Sequence, residues 1–303
     1  MSSTPAANAV KPIVHTFFDD ATFTATYLVI DPATRQAAVI DPVLDYDPAT
    51  GEIRTRAADS VLAAATAADC TITWLLDTHV HADHLTALAY LKIKTGATTG
   101  IGAQVTVVQD VFAPVFGATD LATDGSSFDH LLRDGACIMI GDMIVEVLHT
   151  PGHTPACVSY RIGDAVFVGD TLFLPDYGTA RTDFPGGDAH QLYASIRRLL
   201  ALPAETRIFV GHDYKAPGRD HFAWETSVAA ERAANIHINT DVTEGDFVAM
   251  RRRRDSTLAA PRLLLPSIQV NMRAGNFPPA AANGTRYLVI PVRAKGSAVA
   301  ALT

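Results

Sequence analysis

Cysteine is scarce in this chain of 303 residues: Cys70, Cys137 and Cys157 are all there are. An odd number at wide spacing matches neither a disulfide framework nor a four-thiolate zinc site, and a reducing compartment fits best. Long apolar runs are missing too. No uninterrupted stretch reaches the ~18 residues that suggest a membrane span. Met1 to Lys11 has neither the basic start nor the apolar stretch of a secretory signal. The expectation is a cytoplasmic protein without a membrane partner. Positive charge is also short: 24 Lys and Arg stand against 32 Asp and Glu, a net charge of −8. A phosphate backbone calls for a basic footprint that this balance does not supply, so nucleic acid is not an expected partner. The run Arg251 to Arg254 is the one local exception, and it reads as the solvated end of a helix.

Material for a full core is present. With 48% hydrophobic and 18% charged residues the composition is globular. Thr22 to Ile30 and Ala37 to Ile40, broken by Asp31-Pro32 and Asp41-Pro42, read as a strand meander. Ala57 to Ala68 reads as a helix and Thr71 to Leu76 as a buried strand. A polar cluster follows and runs into a helix with Leu85, Leu88 and Leu91 on one face, closed by Gly96. In the second half, Gly141-Asp142 and Gly163-Asp164 separate short apolar runs as hairpin junctions do. Asp188 caps a helix with Gln191 three residues on, and Arg207 to Val210 is a further strand. Two helices, about Trp224 to Asn235 and Thr243 to Arg254, precede a Pro-punctuated tail. Strand-rich halves, each with helices, predict an α/β protein of αββα layering: a core over 12–236 and a C-terminal helical and Pro-rich extension over 237–303 packed on it.

The chemistry concentrates where the Thr71 to Leu76 strand ends. His79-x-His81-x-Asp83-His84 puts four potential ligands in six residues. Three histidines with an aspartate among them at one turn are hard to satisfy without a cation. His15, His130, His190, His221 and His237 are read as surface or supporting residues, and His149 as structural.

This cluster resembles the ligand loop of the metallo-β-lactamase superfamily. Three later segments fit that superfamily in order: Thr150-Pro151-Gly152-His153-Thr154, Val168-Gly169-Asp170-Thr171 and Val210-Gly211-His212-Asp213. Gly152 lets the backbone turn so that His153 reaches inward, and Asp170 stands at the end of an apolar strand as a rigidly held oxygen donor. Asp176 to Phe184, His212-Asp213-Tyr214-Lys215, Glu244 to Val248 and Asn271 to Gly275 are similar to the persulfide dioxygenase (sulfur dioxygenase) family. The Tyr177-Gly178-Thr179-Ala180-Arg181 version is most similar to a bacterial subgroup, the β-lactamase hydrolase-like proteins. Human-like members carry Cys-Gly in place of Thr179-Ala180 and a cysteine in place of Ala274.

The resemblance implies one Fe(II) per chain on His79, His153 and Asp170, with positions left open for a thiol persulfide such as glutathione persulfide and for O2. His81, Asp83, His84 and His212 would orient ligands and move protons. Arg181, Arg273 and Tyr214 are candidates for holding the peptide thiol. It further implies a homodimer and, for any sulfurtransferase partner, a separate chain. The alternative is a dinuclear zinc hydrolase of thioesters or lactones, for which all seven ligand positions are occupied.

Overall fold

The computed structural model describes residues 10–292. The first half runs β1 (Ile13–Asp19), β2 (Thr24–Ile30), β3 (Gln36–Ile40), β4 (Val43–Asp47), β5 (Glu52–Arg54), α1 (Arg56–Ala67), β6 (Thr71–Leu76), β7 (Leu85–Thr86), α2 (Leu88–Thr95), β8 (Thr98–Gly102), α3 (Val105–Phe116) and β9 (His130–Leu132). The second runs β10 (Cys137–Ile140), β11 (Met143–His149), β12 (Val158–Ile162), β13 (Ala165–Phe167), α4 (Ala189–Leu200), β14 (Arg207–Phe209), β15 (Glu225–Ser227), α5 (Val228–Ala234), α6 (Glu244–Asp255) and α7 (Leu264–Asn271). Two six-stranded sheets result, ordered β1-β2-β3-β6-β8-β9 and β10-β11-β12-β13-β14-β15, with a small β5-β4-β7 sheet beside them.

Side-chain alternation sets the layers. Along β2, Leu28 and Ile30 point toward α1, α2, α3 and α7, where Val61, Leu88, Phe112 and Ile268 meet them. Ala25, Tyr27 and Val29 point the other way, onto Val145, Tyr160 and Phe167 of the second sheet. The far face of the second sheet, with Val166 and Ile208, is covered by Leu192, Ile196 and Leu199 of α4 and by Val228 and Phe247 of α5 and α6. Because β2 is covered on both faces, all seven of its residues are buried. The order helix, sheet, sheet, helix is the αββα sandwich. Residues beyond 236 take part in both helix-side clusters, through Phe247 and Val248 on one and Ile268, Val270 and Met272 on the other. No helix among the described residues is long and apolar enough to cross a membrane.

Several local expectations give way to tertiary contacts. Leu85 was expected in a helix, but Leu85 and Thr86 pair with Leu44 and Val43, and the helix starts only at Leu88. The Thr86 amide donates to Asn271 Oδ1 at 2.8 Å, which holds that segment extended. The helix expected from Trp224 begins at Val228: Glu225 to Ser227 pair with β14 instead, and the Ser227 side chain caps α5 by accepting from Ala230 N. Helix α3 carried no expectation, and the Pro-punctuated tail contains α7. Arg251 corrects the reading of a solvated arginine run: Arg252 to Arg254 are exposed, but Arg251 is 1% exposed and ranks first in volume among the fully buried side chains.

Glu231 of α5 is also fully buried. Asn235 Nδ2 donates to its Oε2 at 2.7 Å, while Oε1 has no partner among the described residues. Burial pushes this carboxyl up from 4.5 to about 8, so it is a neutral acid at neutral pH. Between those two values the unfolded chain gives up the proton and the folded chain keeps it, so stability falls as pH rises through that window. Glu231→Gln should flatten this part of the stability profile, as measured by urea unfolding at several pH values across it. An unchanged slope would mean that the carboxyl is ionised in the fold.

Candidate metal centre

The centre lies where strands of both sheets end together. β6 stops at Leu76, and the following loop carries His79, His81, Asp83 and His84. Past β11, Gly152 takes φ +137°, and a Cβ there would collide with the Leu192 backbone at the start of α4. Only glycine lets the chain pass that close and deliver His153. Asp170 follows β13. Gly211 follows β14 and approaches so closely that a Cβ would come 2.8 Å from Asp170 Oδ1. His212 is next in sequence.

His79, His153 and Asp170 each offer a donor atom with all three within 4.8 Å of one another. His79 Nε2 and His153 Nε2 lie 4.0 and 3.7 Å from Asp170 Oδ2. A second group, His81, Asp83 and His84, meets the same criterion. His212 Nε2 stands 3.1 Å from Asp83 Oδ2 and 3.2 Å from Asp170 Oδ1. His79 Nε2, His81 Nδ1, Asp83 Oδ2, His84 Nε2, Asp170 Oδ1 and His212 Nε2 are all buried without a hydrogen-bond partner among the described residues. Buried polar atoms are normally satisfied, and six orphans gathered in these two adjoining groups fit metal binding. Imidazole and carboxylate donors suit iron and zinc alike.

Electrostatics favour the ligating forms of His79, His81 and Asp83, and leave Asp170 and His212 in need of a cation. Burial and the neighbouring imidazoles hold His79 and His81 well below the ordinary histidine range, so both are neutral. Burial opposes ionisation of Asp83, but His212 and His84 outweigh it and hold the carboxyl well below its usual range. For Asp170 burial prevails against His212 and His153, and its pKa is raised. Burial lowers that of His212, yet Asp170 and Asp83 more than compensate and raise it. The space between the two carboxylates therefore calls for positive charge.

Supporting contacts hold His153 and the loop that carries His81 and His84. His153 Nδ1 bonds to the Arg181 carbonyl at 2.8 Å, which leaves Nε2 free to ligate. His81 Nε2 bonds to Asp41 Oδ1 at 3.0 Å, and Asp41 also accepts from Thr78 N and Thr78 Oγ1. Asn271 Nδ2 donates to the carbonyls of His81 and His84 at 2.8 and 2.7 Å, pinning the ligand loop from α7. Asp41 had a legible signal, an acid ending an apolar strand as Asp170 does. Asn271 had none beyond its place in the tail.

A cavity of about 360 Å³ opens beside Asp83, His153 and Asp170. Phe23, Phe173, Tyr177 and Tyr214 form its aromatic wall, with the Tyr214 ring 5.5 Å from that of His212. Arg181 lines it too, but its fork is occupied by Asp183, Nε to Oδ1 at 2.5 Å and NH2 to Oδ2 at 2.7 Å. Arg273 is not brought to this cavity. Its guanidinium pairs with Asp120 at 2.5 and 3.0 Å and lines a different cavity with it. Arg254, expected only as part of a solvated helix end, and Arg262, which carried no expectation, line the cavity instead. Among the other histidines, His237 is buried and accepts from Thr179 N at 3.0 Å, and burial with Arg251 and Arg254 nearby lowers its pKa to about 4.

Two mixed sheets between helix layers, with histidines and aspartates converging at one edge, define a metal-binding α/β protein. The chain belongs to the metallo-beta-lactamase superfamily, whose family model matches residues 19–212. It is 52% identical to a probable metallo-hydrolase of Burkholderia pseudomallei, over 93% of this chain and 99% of that protein. It is 48% identical to a beta-lactamase hydrolase-like protein of Xylella fastidiosa, of which it spans 65% while 93% of this chain is matched. It is 29% identical to the human mitochondrial persulfide dioxygenase ETHE1, over 89% of this chain and 91% of that one. Among solved structures, ETHE1 from Myxococcus xanthus superposes with a TM-score of 0.70 at 35% identity, covering 87% of this chain and all of that one.

Replacing His153 or Asp170 by Ala should abolish tight metal binding while leaving the metal-free fold intact, since neither belongs to the hydrophobic clusters. Metal content after dialysis, read beside circular dichroism, checks this. Full retention of metal in either variant would refute the ligand assignment.

Proposed function

We propose that this enzyme is a persulfide dioxygenase that works with one Fe(II) on His79, His153 and Asp170. Its substrate would be a low-molecular-weight thiol persulfide of the glutathione type. The observation that carries this reading is the compact group of two histidines and one carboxylate, with His81 grouped instead with Asp83 and His84. The likeness to the persulfide dioxygenase of human mitochondria and to ETHE1 of Myxococcus xanthus supports it. Fe(II) bound there supplies open coordination positions for the terminal sulfur and for O2, and an electron path between them. Persulfide, O2 and one water give free thiol, sulfite and two protons. A homodimer and a separate sulfurtransferase that delivers the persulfide belong to the same reading.

The chain's own part is to bind, orient and move protons. Asp83 lines the cavity with His212 3.1 Å away, and this pair takes protons from the water that completes sulfite. Tyr177, Tyr214, Phe173 and Phe23 keep other water from the reacting sulfur. Arg254 and Arg262 are the guanidiniums left for the carboxylates of the thiol carrier. Both line the cavity, and neither side chain has a hydrogen-bonding or ionic partner among the described residues, whereas Arg181 and Arg273 are already paired.

A dinuclear zinc hydrolase is the second reading. It is favoured by the group His81, Asp83 and His84 with His212 beside it, and by the likeness to a probable metallo-hydrolase. Oxygen uptake by the iron-loaded protein, compared across persulfides and thioesters, tests one against the other. Two zinc ions per chain with thioester hydrolysis and no oxygen uptake would overturn the dioxygenase reading. Asp83→Asn should keep its iron and lose ~10- to 100-fold in turnover. Loss of one of two metals in that variant would favour the hydrolase.

Arg254→Ala and Arg262→Ala should each raise the apparent KM for glutathione persulfide about 10-fold, the loss of a charge-assisted hydrogen bond worth ~1.5 kcal/mol. A small uncharged persulfide should be little affected. Equal effects on both substrates would remove these arginines from recognition.

A further inference from the structure

We infer that Arg251 and Asp255 are positioning residues that set the metal ligand His153 from outside the centre. The inference rests on the ligand set and holds whichever reaction the centre performs. Both residues lie on α6, one turn apart, and both are buried. Arg251 Nε and NH2 donate to Asp255 Oδ1 at 3.1 and 2.8 Å. The remaining donors and acceptors of the pair do not stay on the helix. Arg251 NH1 donates to Thr179 O at 2.9 Å and to Thr179 Oγ1 at 3.2 Å. Asp255 Oδ2 accepts from Thr182 N and Thr182 Oγ1, each at 2.9 Å.

The pair thus grips one short segment at both ends, and the two residues between, Ala180 and Arg181, are fixed with it. The Arg181 carbonyl is the atom that receives the Nδ1 proton of His153, at 2.8 Å. That bond selects the tautomer with Nε2 free and sets the ring plane toward Asp170. A displacement of the Arg181 carbonyl would rotate His153, and the grip of α6 on Thr179 and Thr182 prevents it. Thr179 is held from the opposite side as well, its amide donating to the neutral imidazole of His237. Gly178 lies against that ring so closely that no Cβ fits.

An ion pair at this depth is costly to desolvate, and a purely packing role would be served as well by apolar side chains of similar volume. What such side chains cannot do is present a forked donor to one end of a segment and a carboxylate to the other. The same segment walls the cavity through Thr179, Ala180 and Arg181. Arg251 and Asp255 therefore couple the ligand geometry to the shape of the substrate wall.

The test uses Co(II) alone as probe on the metal-free full chain, reading its visible ligand-field bands, its affinity and the melting temperature before and after loading. The double variant Arg251→Met/Asp255→Leu removes both charges together, so no buried ion is left unpaired and the metal-free melting temperature should stay near the parent value. Its Co(II) affinity should fall on the order of 10- to 100-fold with altered bands. Arg253→Met, a change at an exposed neighbour, should match the parent in all three readouts. Parent-like affinity and bands in the double variant would overturn the inference. Should that variant fail to fold, Arg251→Lys decides, because a single ammonium cannot fork across Thr179 and Asp255. Weakened Co(II) binding with altered bands then supports the inference, and parent-like binding overturns it.

Discussion

Asp170 is a buried carboxylate with imidazole nitrogens of His79, His153 and His212, from three separate loops, around it, and its Oδ1 accepts no hydrogen bond among the described residues. A carboxylate in that position loses hydration and repels Asp83, and the pull of His212 and His153 does not offset both. Positive charge has to be supplied locally. The rest of the architecture near the centre follows from bringing this one group and its partners to the same point from distant parts of the chain. Gly211 permits the close approach of the β14 loop, Gly152 that of the β11 loop, and parallel pairing of β13 with β14 sets the ends of those strands side by side.

Ligand loops are floppy unless their backbone is tied down, and here the ties come largely from beyond residue 236. Asn271 satisfies the carbonyls of His81 and His84 and the amide of Thr86, so it fixes the loop with four candidate ligands at three points. Arg251 and Asp255 fix the segment that carries the Arg181 carbonyl. The C-terminal elements also contribute core residues to both helix layers, so their removal would expose apolar surface and loosen the donors at once. Rigidity in supporting residues is what keeps donor atoms in place against their mutual repulsion.

Much of this was legible in the sequence, and the boundary between legible and hidden is physical. The cluster from His79 to His84 announces itself because four donors in six residues have no ordinary structural explanation. Thr71 to Leu76 and the Asp188 cap were legible because apolar runs and capping act locally. Leu85, Glu225 and Arg251 were misread for a shared reason: each is decided by a partner far along the chain, respectively Leu44, Phe209 and Thr179. An arginine among four consecutive arginines carries no mark of which one turns inward. Arg273 was misplaced for the converse reason, since its motif survives while its guanidinium faces Asp120.

The seven donors do not by themselves separate one-metal from two-metal chemistry, because the atoms suited to a second ion are the same atoms that can hold and pass protons around a single one. Asp83 and His212 illustrate the point: 3.1 Å apart beside Asp170, they can share a proton or flank a cation with equal geometric ease. Selection between the two must then lie in what shapes the space around the donors. Thr179, Ala180 and Arg181, the aromatic wall, Arg254 and Arg262 line the cavity beside those donors. Close relatives sharing every donor can differ in reaction if this wall differs, and a wall gripped by buried Arg251 and Asp255 is one that surface drift does not easily reshape.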